Sequence, residues 1–289
     1  MNRIAFLTMD SLADFVSYDQ LVVDLLRQSD VTVDEISWRA ENVDWNQYSL
    51  VVIRSPWDYQ QAPLAFLQVL EQIHQSNAVL LNSLEVVHWN IRKHYLRELE
   101  QKGARIVPTL WLQSPSVEQL TAAFDTLQTE EIVGKPLIGA NADHAFRLPR
   151  TAPQTNFERA HAAWNNTTAL IQPFVPSILD TGEFSLIYFD NQFSHAIRKV
   201  PRSGDFRVQE EHGGRIESCQ PDPDLLELAS TCLQCLPECL LYARVDIVRL
   251  PNGLPAIMEL ELIEPSLYLA FDANSPARFA TAIGRRLKP

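Results

Sequence analysis

At 289 residues, 46% hydrophobic and 21% charged, the chain is long enough to bury a substantial core in two or three subdomains. Its formal net charge of -12, from 24 Lys and Arg against 36 Asp and Glu, disfavours a binder of nucleic-acid backbones, which would present a basic surface. No apolar run approaches the roughly 20 residues that span a bilayer, and Asp10 and Asp14 come too early for a signal peptide, so the expected location is the cytoplasm with no membrane partner. The first roughly 90 residues alternate strand and helix in the manner of a parallel α/β sheet. RIAFLTM reads as a strand, SYDQLVVDLLRQS as a helix and VTVDEISW as a strand. YSLVVIRSPWDY begins as a buried strand and leaves through a proline turn; LAFLQVLEQIHQS is helical and AVLLNS a strand. LEVVHWNIRKHYLRELEQKG predicts a single helix closed by Gly103 at the C′ position, and ARIVPTLWL predicts a strand.

From about Ser114 the pattern becomes α+β, with strands joined by short turns and helices between them. SVEQLTAAFDTLQ is a helix, EIVGKPL a short strand, FERAHAAWNN a helix and TALIQPFVPSI a strand entering a proline-rich bend. GEFSLIYFD and QFSHAIRKV are strands separated by a turn at Asn191, and PDLLELASTCLQCL is helical. Cys232, Cys235 and Cys239 fit the core-facing positions of that helix better than a metal site, because no second ligand pair of zinc type lies nearby. His195 and His212 read as structural or surface residues, since neither is paired with a base.

The last recognisable unit, LYARVDIVRLPNGLPAIMELELIEPSLYL, has the apolar richness of a buried hairpin and yet carries several acids. With Asn252-Gly253 as a two-residue turn, Asp246 falls opposite Glu259 and Arg244 opposite Glu261. Period two then places Asp246, Glu259 and Glu261 on one face, with Val245, Ile247, Met258, Leu260 and Leu262 on the core face. Like charges facing each other are destabilising. Either a hard cation such as Mg²⁺ sits among them, together with substrate phosphates, or this is a solvated acidic face. The first alternative carries a corollary: neutralising Glu259 should relieve repulsion in the metal-free protein.

Phosphate-loop signatures, GxxxxGK[ST] and GxGxxG, are absent. Cations nonetheless gather between Arg198 and Arg215 in a strongly acidic chain, which suits recognition of an anion such as phosphate. Arg54 stands at a strand C-terminus, where open α/β sheets bind ligands.

Taken in order, RSPWDY, LNSLEVVHWNIRKHYL, KPLIG, QPFVPSILDTGE, RKVPRSGDFRVQEEHGG and RVDIV…MELELIEPS resemble the ATP-grasp superfamily, in the branch of bacterial glutathione synthetase. The resemblance spans nearly the whole chain. The RSPWDY, GEFSL, SHAIRKVP and DFRVQ set looks closer to small ligases related to the cyclo-ligase that forms cycloserine. It implies an N-terminal parallel α/β substrate-side domain over residues 1–90, a central lid domain over 91–175, and a C-terminal ATP-grasp domain over 176–289, with the nucleotide between two antiparallel sheets.

The resemblance also assigns roles. Lys93 and Lys199 would contact the nucleotide and Lys135 its phosphates, the hinge residues Gln172, Pro173, Phe174 and Val175 the adenine, and Glu183 the ribose. Arg54, Trp57, Asp58 and Tyr59 would face the substrate, together with Gly213 and Gly214. Arg207 and Arg215 would steady the acyl-phosphate oxygens and the tetrahedral intermediate, with Arg198 a third catalytic arginine. Asp246, Glu259 and Glu261 would hold a pair of Mg²⁺ ions, with Glu261 standing where the family commonly has Asn. The implied reaction converts a carboxylate to an acyl phosphate, which an amine or similar nucleophile then attacks, within one molecule or between two. The expected substrate is a small amino acid or peptide. An ATP-binding regulatory module without turnover and an ATP-independent metal hydrolase are the alternatives. The oligomeric state stays open, a homodimer included.

Overall fold

A computed structural model of the chain describes residues 2–139, 144–202, 204–205, 207–208, 213–236 and 239–287. The N-terminal unit is a parallel sheet of β1 (Asn2–Thr8), β2 (Val31–Ser37), β3 (Leu50–Ser55) and β4 (Val79–Leu81), in the order β2-β1-β3-β4. Its central strands are near-continuous apolar runs because both faces are covered. Ala5, Leu7, Val51 and Ile53 pack with α2 (Pro63–His74), while Ile4, Phe6 and Val52 pack with α1 (Gln20–Gln28) and with side chains of the C-terminal unit.

The single helix expected from Leu84 to Gln101 is broken. Helix α3 (Leu84–Asn90), capped by the Ser83 side chain at Val86 N–H, stops short of α4 (Tyr95–Gln101). Within the break the Lys93 amide donates to the Leu137 carbonyl at 3.0 Å, a long-range bond that replaces an intrahelical one. Tyr95, Leu96 and Leu99 of α4 then join the core behind the C-terminal sheet.

The central sheet is antiparallel, with β5 (Leu110–Gln113), β6 (Glu131–Pro136), β7 (Phe146–Pro149) and β8 (Thr168–Pro173) in the order β5-β8-β6-β7. Helices α5 (Val117–Thr126) and α6 (Gln154–Ala163) bury Leu120, Phe124, Phe157 and Ala160 against it. Gly134 lies under the Trp164 ring, whose nearest atom would stand 2.0 Å from an added Cβ, so only glycine fits there. The expected strand ARIVPTLWL is shorter: Pro108 cannot donate to a ladder, and Ile106 instead makes an isolated parallel bridge to Ile257. Strand β7 was not anticipated.

The C-terminal sheet is antiparallel. Strands β9 (Glu183–Phe189), β10 (Gln192–Val200), β11 (Arg215–Cys219), β12 (Tyr242–Arg249) and β13 (Pro255–Glu261) run in the order β11-β10-β9-β12-β13. The β9–β10 turn falls at Asp190-Asn191, both with positive φ (51° and 58°), as a two-residue hairpin loop requires. Helix α7 (Pro223–Gln234) covers one face. Helix α8 (Ser275–Arg286), also unanticipated, joins the core formed by Ile187, Phe189, Ile197 and Tyr242 on the other. Cys232 is buried in α7, but Cys239 lies beyond the helix and is exposed, so the three cysteines do not share one helical face. His195 is buried, with Nε2 3.0 Å from the Leu267 carbonyl; His212 falls outside the described residues.

The hairpin register at the acids is as expected, Asp246 opposite Glu259 and Arg244 opposite Glu261, but it arises differently. Leu250 pairs with Leu254, so the turn has three residues, Pro251, Asn252 and Gly253, the last at φ 82°. A bulge at Met258 restores the offset. The bulge also turns Met258 toward the pocket beside Glu259, correcting its expected place on the core face. The free edge of β13 is closed by Asn90, whose side chain donates to the Leu260 carbonyl at 2.9 Å and accepts from the Leu262 amide at 3.0 Å. No helix among the described residues is long and apolar enough to cross a membrane.

Candidate active site

The three units meet at a pocket walled by the hinge after β8, the lid strand β6, the acidic strands β12 and β13, and Phe15, Trp57 and Tyr59 of the N-terminal unit. Strand alternation selects which residues face it. Glu183 and Ser185 on β9, Lys199 on β10 and Asp246 on β12 share one face, directed away from α7.

These groups form a buried ion network. Lys199 Nζ lies 2.6 Å from Glu183 and 3.6 Å from Asp246, which also accepts from Ser185 Oγ at 2.5 Å. Arg244 holds Asp246 through two nitrogens, at 3.1 and 2.9 Å, and pairs with Glu261. Burial alone would raise the Asp246 carboxyl, but Arg244 and Lys199 outweigh it and hold it at about 2. Lys93 Nζ spans the pocket, 2.5 Å from Glu259 and 3.0 Å from the Gly139 carbonyl of the lid. Burial opposes the charged forms of this pair too, yet their mutual attraction prevails, raising Lys93 and lowering Glu259. Glu259 is therefore in a net attractive field, and the expected relief on neutralising it is not supported. Lys135 Nζ sits 3.2 Å from the Met258 sulfur, and burial depresses its pKa.

Two acids are short of positive charge. Burial, resisted by Arg244 and aided by Asp246, pushes Glu261 up to about 7. Burial and the neighbouring Glu261 push Glu264 up to about 8. Of the two, Glu261 stands beside Asp246 and Glu259, and carboxylate oxygens gathered in this way are the donor chemistry of a hard cation. As the side chains stand, Lys93 and Arg244 occupy these carboxylates, and among the described residues no group of three His, Cys, Asp or Glu is drawn together tightly enough to hold an ion.

Of the residues singled out from sequence, Lys93, Lys135, Gln172, Pro173, Phe174, Val175, Glu183, Lys199, Arg207, Trp57, Tyr59, Asp246, Glu259 and Glu261 line this pocket. The Phe174 amide is committed to the Glu131 carbonyl at 2.8 Å, and Arg147 stacks 3.8 Å from its ring. Several others do not line it. Arg198 precedes Lys199 on the same strand and so points to the opposite face, where it pairs with Glu217 at 2.8 Å. Arg215 is exposed and binds the same Glu217. Arg54 is 2% exposed beneath the pocket, bonded to Asp19 at 3.0 Å and stacked over Tyr242 and Phe279. Asp58 faces away from the pocket to receive the Trp38 indole N–H at 2.7 Å and Arg39 at 2.9 Å. Gly213 and Gly214 are outside the pocket walls, and most of the loop before them, with residues 140–143 of the lid, lies outside the described residues. Sequence reasoning gave no role to Arg244, Met258, Glu264 or Tyr268, all of which face the pocket. For Arg244 the signal was present: it shares a strand face with Asp246, two residues on.

A parallel α/β unit joined to two antiparallel sheets that enclose a cation-rich, acid-walled cleft defines a class. The family model described as the ATP-grasp domain of prokaryotic glutathione synthetase matches residues 95–257, and one described as the N-terminal domain of D-cycloserine synthetase DcsG matches residues 4–82. The chain belongs to the ATP-grasp family, and it is an ATP-dependent carboxylate–amine ligase. It is 30% identical over 311 aligned positions to the cycloserine biosynthesis protein DcsG of Streptomyces lavendulae, covering 99% of each chain. A glutathione synthetase of Rhodopseudomonas palustris is 25% identical, over 75% of this chain and 70% of its own. The crystal structure of D-cycloserine synthetase DcsG matches with a TM-score of 0.87 and 29% identity, over 99% of this chain and 100% of that one. The ATP-grasp ligase PsnB, in complex with a phosphomimetic variant of its minimal precursor, Mg and ADP, shares the fold at a TM-score of 0.67 and 17% identity, with 98% of each chain covered.

Proposed function

We propose that this ligase activates the carboxylate of a small amino acid with ATP and closes it, through a nitrogen nucleophile in the same molecule, into a cyclic amide. The observation that carries this reading is the likeness to D-cycloserine synthetase over both the nucleotide-binding units and the N-terminal substrate-side unit, residues 4–82, which the glutathione synthetase domain match does not include.

In this reading the hinge holds adenine, with the Val175 amide as donor because the Phe174 amide is already used. Lys93, Lys135 and Lys199 cradle the phosphates, and Glu183 faces the ribose side while keeping Lys199 in place. Asp246, Glu259 and Glu261 would hold Mg²⁺, two ions in our reading, which when bound supplies charge neutralisation for the phosphates. A substrate carboxylate oxygen attacks the γ-phosphorus, giving ADP and an acyl phosphate. The nitrogen then attacks the acyl carbon, phosphate departs, and the nitrogen loses its proton. Arg207, the only one of the three expected arginines on the pocket wall, stabilises the developing oxyanion, assisted by the deeper charge of Arg244.

The test is a coupled ADP-release screen against amino acids that carry an aminooxy, hydroxamate or ureido group, against short peptides, and against glutathione precursors. Mass spectrometry should find a product lighter than its amino-acid substrate by one water. ADP release that requires two separate substrates would refute ring closure, and ATP-independent turnover would refute the ligase mechanism.

A further inference from the structure

The pocket wall has two chemically unlike parts. The lysines and the hinge make one. In the other, Phe15 and Trp57 present rings 5.4 Å apart at 43°, and Tyr59 also lines the wall. The Trp57 indole N–H donates to the Glu264 main-chain carbonyl at 2.8 Å, tying the aromatic wall to the segment after β13. The Tyr59 hydroxyl lies within reach of the Glu264 carboxylate.

Glu264 differs from the other acids lining the pocket. Glu183 is paired with Lys199, Asp246 and Glu261 with Arg244, and Glu259 with Lys93. Among the described residues no lysine or arginine closes an ion pair with Glu264; Lys93 and Arg244 attract it only from beyond ion-pair distance, and burial outweighs them. A carboxylate at the edge of an aromatic box is suited to an alkylammonium ion, which takes a charge-assisted hydrogen bond from one side and cation–π attraction from the other. A phosphate or a second carboxylate would find no cation at contact distance there. The raised pKa of the ligand-free group agrees, because a buried acid without its counter-cation holds its proton, and an arriving ammonium would release it.

We propose that Glu264, walled by Trp57 and Tyr59, receives the ammonium group of the amino-acid substrate and makes the enzyme select amino acids over hydroxy acids. The identity of the substrate class rests on the ligase reading above. Anchored there, the substrate leaves its carboxylate free to meet the lysines of the same pocket.

The full-length protein is titrated calorimetrically, in saturating Mg-ADP, with D- and L-serine and with D- and L-glycerate, in which a hydroxyl replaces the ammonium. One serine enantiomer should bind at least about tenfold more tightly than its glycerate. Glu264→Gln, which keeps an acceptor for Tyr59, should cut that preference to about twofold or less while Mg-ADP affinity stays at the wild-type value. Glycerate binding as well as serine, an undiminished preference in Glu264→Gln, or no binding by either serine would each overturn the proposal. The wild-type comparison stands even where the variant does not fold. A serine preference that depends on Glu264, in a protein that fails to close a ring in the ADP-release screen, would overturn the proposed reaction and leave the ammonium site intact.

Discussion

Replacing Glu259 with Gln tests the acidic wall most directly. The side chains of the Lys93–Glu259 pair are 11% and 26% exposed, so the pair is neither fully buried nor superficial. Removing one member of a buried pair costs roughly 3–5 kcal/mol, and an exposed pair contributes roughly 0–1 kcal/mol. Lys93 keeps the Gly139 carbonyl as a partner at 3.0 Å, and Gln retains one oxygen, so the cost should fall between these limits, at about 1–3 kcal/mol. For a chain of this length that is a fall in Tm of about 2–5 °C.

The same substitution should abolish ligand stabilisation. At 100 times Kd, Mg-ATP should stabilise the wild type by about 2.7 kcal/mol, and the Glu259→Gln protein by much less. The assay is a thermal melt of both proteins with and without Mg-ATP, beside ADP release. An apo Tm at or above that of the wild type would show that repulsion among the acids dominates, against the ion-pair geometry. A full Mg-ATP shift with retained turnover would remove Glu259 from the metal set. Combining it with Lys93→Met should recover part of the loss, and a coupling energy near zero would refute the pair itself.

Lys135→Ala should weaken ATP binding by at least about tenfold, on the order of 1.4 kcal/mol, measured by calorimetry; unchanged affinity in a folded variant would exclude Lys135 from the phosphates. Asp19→Ala should lower stability by about 3–5 kcal/mol in chemical denaturation, because it strands the buried Arg54 guanidinium, and it should leave ATP affinity at the wild-type value. The pH dependence of stability should carry the sign of two raised carboxyls. Glu261 at about 7 and Glu264 at about 8 bind protons more tightly in the folded state, so their stabilising effect is full below the unfolded carboxylate range and is lost as pH rises through these values. Melts of the ligand-free protein between pH 5 and 8.5 should show this loss, and Glu264→Gln should flatten it; a wild-type Tm that rises over that interval would refute it.

What the sequence made legible was local or periodic. The parallel N-terminal unit, the β9–β10 turn and the pairing of Asp246 with Glu259 followed from apolar patterning and turn residues. The last was right although the turn was misjudged, because the third turn residue and the Met258 bulge cancel. One error could have been avoided within the sequence: neighbours on a strand face opposite ways, so Arg198 and Lys199 could not both reach the site. Others could not. Helical periodicity runs without interruption through residues 91–94, and only the bond from the Lys93 amide to Leu137, far along the chain, breaks the helix there. Nothing near Arg54 announces that Pro265, 211 residues on, covers it.

These failures are not scattered. The helix break turns Lys93 from a solvated helix face into the pocket, and the bulge brings Met258 and Glu259 to the same side of a strand. In each case a local preference is overruled by a long-range contact, and the side chain released by that conflict is one the site uses. Regular structure alone would still place Asp246, Glu259 and Glu261 on one face, but it would send Met258 to the core and keep Lys93 in water; the lysine that meets the acids and the sulfur beside them are there because regularity is interrupted at both places. Functional sites are where agreement between local and global preferences is expected to lapse. A variant that restored the regular hairpin by deleting Met258 should therefore keep the fold of β12 and β13 and the facing of Asp246 with Glu259, and weaken Mg-ATP binding through the lost contact of the Met258 sulfur with Lys135. Undiminished binding in that deletion would show that the bulge serves packing rather than the site.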